Sequence, residues 1–146
     1  MPGDDRFAYS ALVYVGDTEA QGRAGAEKLL WYVTHNKIPP QFKNPPGYSS
    51  AAFSAKLLRG AATPFDRKPS LDQCIEEGLV FCGTPDQVYA QIKRHYDHVG
   101  GYGHLLMMGQ SGFLEHDETM SSIRLYATEV QPRLHELAGA SAAVPA

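Results

Sequence analysis

The sequence lacks any long apolar run and any cluster of basic residues. Its 146 residues contain no stretch that approaches the ~18 consecutive apolar residues of a membrane span. The start MPGDDR lacks the apolar core of a signal peptide. The sequence contains thirteen Lys and Arg residues and sixteen Asp and Glu residues, which give a net charge of -3. This balance provides no electrostatic footprint for nucleic acid. We therefore expect a cytoplasmic protein that binds neither membranes nor nucleic acid.

Metal-ligand spacing and self-contained catalytic sets are also absent from the sequence. The only two cysteines, Cys74 and Cys82, lack a metal-type spacing, which predicts reduced thiols used for packing. His95 and His98 lie three apart on one predicted helix, but no third ligand follows at a suitable spacing. No serine sits in a nucleophile-elbow pattern. We therefore predict no metal site and can assign no catalytic residue.

The clearest positive signal is a strand, helix and strand within residues 79 to 110. Leu79 to Cys82 and His104 to Met108 are short apolar runs typical of strands buried on both faces. Thr84 is placed as the N-cap of a helix that starts at residue 85, and Gly100 is placed to end it. Two such strands joined by an amphipathic helix predict a parallel βαβ crossover and hence an α/β fold.

The segments before this unit predict one further strand and three helices. Residues 8 to 16 read as a strand, and a helix is predicted from about 19 to 35 behind a Thr18–Gln21 capping box. Its predicted buried stripe contains Ala26, Leu29, Leu30 and Val33. Proline-rich residues 38 to 48 predict an irregular excursion, followed by a short helix over 49 to 58 and a loop over 59 to 69. A short helix is then predicted from Ser70 to Gly78.

The last helix is predicted to start near Asp117 and to bury one continuous apolar stripe. That stripe consists of Met120, Ile123, Ala127, Val130, Leu134 and Leu137. Docking of this stripe on the sheet is the commoner arrangement, and pairing as a coiled coil is the alternative. Pro132 lacks the N–H that would bond to the carbonyl of Thr128, which predicts a kink.

Several of these blocks together resemble a known family. The blocks ALVYVGDTEAQGRAGAE, PPGY, GTPDQV, GHLLMMGQSG and EVQPRLHEL are similar, in order and spacing, to the carboxyl-terminal part of bacterial luciferase-like flavin-dependent monooxygenases. The likeness covers roughly residues 8 to 137. It implies part of a (β/α)8 TIM-like barrel, built of parallel βαβ units with a long carboxyl-terminal helix. A complete barrel usually needs about 250 residues, so we expect the amino-terminal barrel half to be missing. We expect one domain over 1 to 137 and a flexible tail over 138 to 146.

The resemblance also implies an activity and its participants. Such enzymes oxidise a small organic substrate with oxygen and reduced FMN, usually supplied by a separate flavin reductase, while a deazaflavin remains the open alternative. A partial barrel exposes a sheet edge and an apolar face, so we expect either a homo-oligomer or a complementary barrel half as partner. The whole chain is thus interpreted as part of an oxidoreductase.

Four residues are the best candidates for lining a flavin pocket. Met108, Gly109 and Gln110 follow the last predicted strand, at the carboxyl end where barrels and open α/β sheets hold ligands. Trp31 lies beside the buried stripe of the first helix and is the candidate for a ligand-facing wall. The alternatives without a ligand are an ordinary strand end and turn for Met108, Gly109 and Gln110, and a half-buried aromatic rim for Trp31.

Two other functional interpretations remain open on the sequence. The absence of converging acids, bases or metal ligands fits a non-catalytic module that dimerises or binds a small ligand. The other interpretation is that the family resemblance is misleading and the chain is an unrelated small α/β domain. Antiparallel pairing of residues 79 to 82 with 104 to 108 would indicate this.

Overall fold

A computed structural model describes residues 7–35, 69–111 and 113–142, and the side chains of all of these except 32–35 and 138–142. The regular elements follow one another as strands and helices that we number in chain order. They are β1 (Ala8–Val15), α1 (Glu19–His35), α2 (Leu71–Glu76), β2 (Val80–Gly83), α3 (Pro85–Val99), β3 (His104–Met108), α4 (His116–Leu125), a π-helical segment (Tyr126–Val130) and α5 (Gln131–Ala142). The fold is α/β, as predicted.

The three strands form one parallel sheet in the order β2-β1-β3. Leu12 to Val15 of β1 pair with β2, and Ala8 to Leu12 pair with β3. The predicted parallel relation is therefore confirmed, and antiparallel pairing is excluded. Because β1 lies between them, β2 and β3 are not neighbours, and the connection through α3 crosses over β1.

The helix starts are formed by the predicted capping residues. The hydroxyl of Thr84 accepts a hydrogen bond from the Gln87 amide, and the Gln87 side chain accepts one from the Thr84 amide. Ser70 with Gln73, and Thr18 with Gln21, make the same reciprocal pairs. At the other end of α3, Gly100 adopts φ 81°, a left-handed conformation that favours glycine. Local sequence alone therefore specified these boundaries.

Each face of the sheet carries its own apolar core. On one face, α1 and α2 cover β1 and β2 through Ala26, Leu29 and Cys74, each fully buried. Of the predicted α1 stripe, Ala26, Leu29 and Leu30 are buried, while the side chain of Val33 lies outside the described residues. On the other face, α3 and the carboxyl-terminal helix pack against the second cluster. Two covered faces are typical of a parallel sheet.

The prediction that β3 is buried on both faces is wrong. Leu105 and Met107 pack against the second core, but Leu106 on the opposite face is 56 % exposed and Met108 is 38 % exposed. The reason is the position of β3 at the edge of the sheet, beyond the part that α1 covers among the described residues. A short apolar run cannot distinguish a central strand from an edge strand.

The predicted stripe of the last helix is wrong in its first half. Thr119 and Ser122 are the buried residues of α4, while Ile123 and Ala127 are exposed. The π-helical segment then holds one more residue per turn and rotates the helix, so that Val130 becomes fully buried. The segment contains Thr128, whose carbonyl Pro132 cannot bond. The helix accommodates this proline by locally widening its turn.

The outer edge of β2 is closed by a side chain. The Gln91 side chain accepts from the amide of Cys82 and donates to its carbonyl, both at 2.9 Å. A carboxamide can donate from its NH2 group and accept at its oxygen, as the backbone of a neighbouring strand would. Gln91 therefore satisfies the edge at Cys82 and removes a pairing site that exposed strands otherwise present.

Several predictions fall at the limits of the described residues. The excursion over 38 to 48 and the short helix over 49 to 58 lie outside them, as does nearly all of the loop over 59 to 69. Helix α5 continues through Ala142, into the segment predicted as a tail, and the flexibility of that tail stays a prediction. In the described part of the chain, no helix combines the length and apolarity that crossing a membrane would require.

Candidate functional site at the carboxyl ends of the strands

The carboxyl ends of β1 and β2 meet the first turns of α1 and α3. Gly22 of α1 packs so closely on Gly83 that a Cβ at position 22 would lie 2.4 Å from the Gly83 Cα. The two first turns are joined by a hydrogen bond of 2.9 Å from the Gln87 side-chain nitrogen Nε2 to the Glu19 carboxylate. In open α/β sheets this edge is where ligands bind.

A cavity of about 280 Å³ opens at the end of β1, between α1 and α4. Tyr14, Gly16 and Asp17 line it from the strand end, and Lys28 and Glu118 line it from the two helices. The Lys28 Nζ lies 2.5 Å and 2.7 Å from the two oxygens of Glu118. This pair joins helices that are 90 residues apart in the chain and gives the cavity a polar wall.

The titrating groups of this cavity influence one another. Burial raises the pKa of the Tyr14 hydroxyl, and the negative charge of Glu118 raises it further. The hydrogen bond from Lys28 holds the pKa of Glu118 below its usual value, with help from the backbone amide of Glu115. At neutral pH the cavity therefore contains a neutral phenol and a charged pair.

Helix α4 also completes the hydrogen bonding of β1. The amide of Val15 donates to the Ser122 hydroxyl at 2.9 Å, a buried contact. The pairing of β1 with β3 ends at Leu12, so β3 provides no acceptor for the Val15 amide, and the Ser122 hydroxyl accepts its hydrogen bond instead. Ser122 is polar and belongs to no predicted apolar stripe, which is why the sequence did not single it out.

The predicted pocket residues lie at the end of β3, below the end of β1. Met108 pairs with Leu12, and its side chain is partly exposed. Gly109 is buried, and a Cβ there would lie 2.9 Å from the Met107 methyl carbon. Gln110 is exposed. None of the three lines the cavity beside Lys28, and their role in holding a flavin stays a prediction.

The structure brings the fourth predicted residue to the same region. Trp31 is 38 % exposed and meets the ring of Phe113 edge to face, with centroids 5.0 Å apart. The Ser111 hydroxyl donates to the carbonyl of Leu29 at 3.5 Å, which draws the segment after β3 onto α1. Trp31 and Phe113, in the segment after β3, are thus in contact, and Met108 is the exposed apolar side chain at the end of that strand. We call Trp31, Met108 and Phe113 the apolar rim.

The apolar rim fits the ring system of a flavin better than its phosphate. Exposed aromatic and thioether groups suit a planar ring. The cations of α1, in contrast, are already engaged, since Lys28 bonds to Glu118 and Arg23 lies 2.6 Å from Asp72. At the start of α3, the backbone amides of Thr84 and Gln87 are used in capping. Within residues 7–35, 69–111 and 113–142, no group of three His, Cys, Asp or Glu side chains is arranged to hold a metal ion.

Fold and sequence together place the chain close to one class of protein. It resembles the luciferase-like flavin monooxygenases, and its parallel three-stranded α/β sheet is consistent with part of their barrel. No family model matches the sequence.

One protein with a similar sequence and two with similar structures show this likeness. Limonene 1,2-monooxygenase of Rhodococcus erythropolis is 24 % identical over 126 residues, which cover 86 % of this chain and 28 % of the relative. Monooxygenase RslO1 of Streptomyces bottropensis has a similar structure with a TM-score of 0.58 and 19 % identity, over 92 % of this chain and 32 % of that one. A further similar structure is the oxygenating constituent of 3,6-diketocamphane monooxygenase of Pseudomonas putida, a type II Baeyer-Villiger monooxygenase solved in complex with FMN. Its TM-score is 0.51 and its sequence identity 21 %, over 90 % of this chain and 34 % of that one.

These proteins are much longer than the matched segment. The chain spans about a third or less of the length of each. The structural likeness therefore establishes the fold, and the activity of the longer proteins reaches this chain only as a proposal.

Proposed function

We propose that this chain forms the carboxyl-terminal part of a luciferase-like flavin-dependent monooxygenase that oxidises a small organic substrate. The observation that carries the proposal is the similarity to limonene 1,2-monooxygenase along 86 % of the chain. The complex of the diketocamphane enzyme with FMN supports reduced FMN as the flavin, with a deazaflavin as the alternative. Reduced flavin supplies the reaction with oxygen in such enzymes.

The residues of this chain contribute a surface for the flavin and substrate. The apolar rim packs against the flavin ring and keeps water from that face, which slows unproductive side reactions. Gln110 lies beside the rim and offers a donor and an acceptor to polar ring atoms. Oxygen and the organic substrate approach this same surface.

A second polypeptide surface is proposed to complete the site. Because Lys28 and Arg23 are paired with other described residues, the anchor for the flavin phosphate is expected outside α1. The exposed Leu106 and Met108 on edge strand β3 are suited to contact that surface. We propose a complementary barrel half or a second copy of this chain, with a flavin reductase as the supplier of reduced FMN.

Equilibrium binding of reduced FMN under anaerobic conditions tests the proposal. The purified chain is titrated after its mass in solution has been determined, and the reduced deazaflavin is titrated in parallel. We expect micromolar binding at one site per chain or per dimer. Trp31→Leu removes the aromatic edge of the rim and is expected to weaken binding about three- to tenfold. Gln110→Ala is expected to weaken it by a similar or smaller factor.

His98→Ala is the matched control, because His98 is exposed near the end of α3, which leads to the start of β3 and not to its carboxyl end. It is expected to leave flavin affinity unchanged. A folded sample that binds neither flavin, alone or as an oligomer, would contradict a flavin site in this chain.

A non-catalytic dimerising module is the second candidate. The exposed side chains of Leu106, Met108 and Phe113 favour it, because isolated surfaces of this kind usually meet a partner. A stable dimer with no flavin affinity would support this candidate, and a monomer that does not bind an apolar dye would count against it.

A further inference from the structure

The ring of His95 lies near the amino ends of the strands, where α3 meets the sheet. It packs on Tyr9 of β1 with the ring centroids 4.1 Å apart, and it meets Phe81 of β2 at 5.8 Å and Tyr102, just before β3, at 6.0 Å. It also packs directly on Gly78, because a Cβ at that position would collide with the imidazole. One side chain of α3 therefore contacts β1, β2 and the segment that leads into β3.

The two nitrogens of this ring have different surroundings. Nδ1 is buried and forms no hydrogen bond with any described residue, whereas Nε2 is not enclosed in this way. The ring also lines a cavity of about 520 Å³ at this end of the sheet. A buried N–H without an acceptor is costly, so the single proton of the neutral ring belongs on Nε2, and Nδ1 stays bare.

Acid must place the second proton on Nδ1, because both nitrogens carry protons in the imidazolium ion. In this packing the new N–H would be enclosed by aromatic rings and would find no acceptor among the described residues. Burial accordingly lowers the pKa of His95 below its ordinary value of 6.5, and repulsion from His98 lowers it further. The packed position therefore favours the neutral ring.

The sheet side of the ring supplies no negative charge that could hold an imidazolium. Tyr9 and Tyr102 are the titratable groups that face it there. The Tyr9 hydroxyl already donates to the carbonyl of Gly78 at 3.1 Å, and burial raises its pKa. Burial also raises the pKa of Tyr102 to about 12. Both phenols therefore stay neutral throughout the pH range in which a histidine titrates.

The cavity beside the ring offers a charged imidazole a different environment. Glu76 and Glu77 line it from the end of α2, and Arg94 and His98 line it from α3. All four side chains are exposed. A ring that turns away from the sheet into this space meets water and two carboxylates, set against one guanidinium and one further imidazole. The two positions of the ring thus favour opposite charge states.

We propose that His95 is an acid-sensitive switch, which as a neutral ring holds the end of α3 on the amino ends of the strands and as an imidazolium leaves the aromatic cluster for the cavity. Its stabilising contribution is complete above pH 6.5 and is lost as the pH falls from there through the lower folded pKa. The switch lies away from the carboxyl ends of the strands and does not depend on the proposed flavin surface.

An NMR titration of the unmodified chain, from pH 8 into the acid range, tests the proposal. The carbon-bound ring protons of His95 are expected to shift with a midpoint below 6.5. The ring signals of Tyr9 and Tyr102 are expected to shift with the same midpoint. The nuclear Overhauser effect between the His95 and Tyr9 rings, which the 4.1 Å separation predicts at pH 8, is expected to be lost in acid.

His95→Phe keeps an aromatic ring that cannot take up a proton. Its Tyr9 and Tyr102 signals are expected to stay constant over the same pH range. The urea midpoint of the unmodified chain should be lower at pH 5.5 than at pH 7.5, and His95→Phe should reduce this difference to roughly half or less. His135→Ala is the control, because it removes an exposed imidazole from α5 and is expected to keep the difference.

His98→Ala tests the direction of the charge effect. It removes the repulsion from the neighbouring imidazole and is expected to raise the titration midpoint of His95 while the loss of the Tyr9 contact in acid remains. FMN titrations of His95→Phe at pH 7.5 separate the switch from the flavin proposal, because flavin affinity is expected to be unchanged.

Three results would overturn the proposal. The first is a midpoint of His95 at or above 6.5 in the unmodified chain. The second is a ring that titrates while the Tyr9 signals and their contact with His95 stay unchanged. The third is a folded His95→Phe protein whose Tyr9 signals still shift with pH. The first two need no variant, so the proposal can be tested even if the substitution prevents folding.

Discussion

Single polar side chains hold the sheet to its covering helices at positions where the sequence shows no obvious signal. The Ser122 hydroxyl is 107 residues from the Val15 amide it serves. Lys28 and Glu118 are similarly remote, and Tyr14 donates to the backbone carbonyl of Glu118 at 3.4 Å. Each contact joins α4 to the first part of the fold, and each can be removed with a small substitution.

Ser122→Ala is expected to lower the free energy of unfolding by about 1–3 kcal/mol. The reason is that the Val15 amide would remain buried without an acceptor. Urea denaturation measures the change. Ser121→Ala, on the exposed side of the same helix, is the control and is expected to change stability by less than about 0.5 kcal/mol. Equal effects of the two substitutions would show that the hydrogen bond does not stabilise the fold.

Glu118→Gln is expected to destabilise the protein at neutral pH but not in acid. The pKa of Glu118 is lower in the folded state than its ordinary value of 4.5, so its charged form is favoured by folding. That stabilisation is present above pH 4.5 and is lost as pH falls through the lower folded pKa. Because the pair is partly exposed, the loss at neutral pH should be at most about 1 kcal/mol.

Unfolding of this variant and of the unmodified chain is compared at pH 7 and again below the folded pKa of Glu118. The difference between the two proteins should disappear at the lower pH. Glu129→Gln, an exposed carboxylate of the π-helical segment, is the control for removal of one negative charge. A difference that persists unchanged in acid would contradict the assignment to the Lys28 pair.

The two outer strands of the sheet, β2 and β3, differ in how their outer edges are covered. At the outer edge of β2, the Gln91 side chain takes the place of a neighbouring strand at Cys82. At the outer edge of β3, apolar side chains remain exposed on one face. The two edges of one small sheet therefore have opposite properties, since one is closed within the chain and the other is suited to a partner.

Gln91→Ala is expected to destabilise the fold by about 1–3 kcal/mol and to promote aggregation. The substitution leaves both the amide and the carbonyl of Cys82 without this side chain. Urea denaturation and light scattering measure the two effects. His98→Ala on the exposed face of the same helix is the control. A Gln91→Ala protein that matches this control in both measurements would show that the edge needs no closure.

The two faces of β3 should respond differently to truncation. Leu105→Ala is expected to cost about 2 kcal/mol, because Leu105 packs against the second core. Leu106→Ala is expected to cost less than about 0.5 kcal/mol, because Leu106 is 56 % exposed. If β3 contacts a second copy of the chain, Leu106→Ala should also lower the mass measured in solution. Equal losses of stability would contradict the one-sided burial of β3.

At the level of the whole molecule, the described residues form a sheet with two apolar cores, one edge closed at Cys82 and one edge with exposed apolar side chains, which suits association. The relatives that the chain resembles are about three times as long or longer, and both Arg23 and Lys28 of α1 are already paired. These features agree with the proposal that its flavin site is completed by another polypeptide surface.

The sequence by itself determined the helix starts, the strand positions and the parallel α/β class. Capping boxes such as Thr84 with Gln87 act within four residues, so local chemistry specifies them. Tertiary structure alone decided that β1 lies between β2 and β3, that β3 is half exposed, and that α4 buries Thr119 and Ser122. It also decided that Trp31 packs against Phe113 in the segment after β3. These outcomes depend on contacts between residues far apart in the chain, which no local period or spacing encodes.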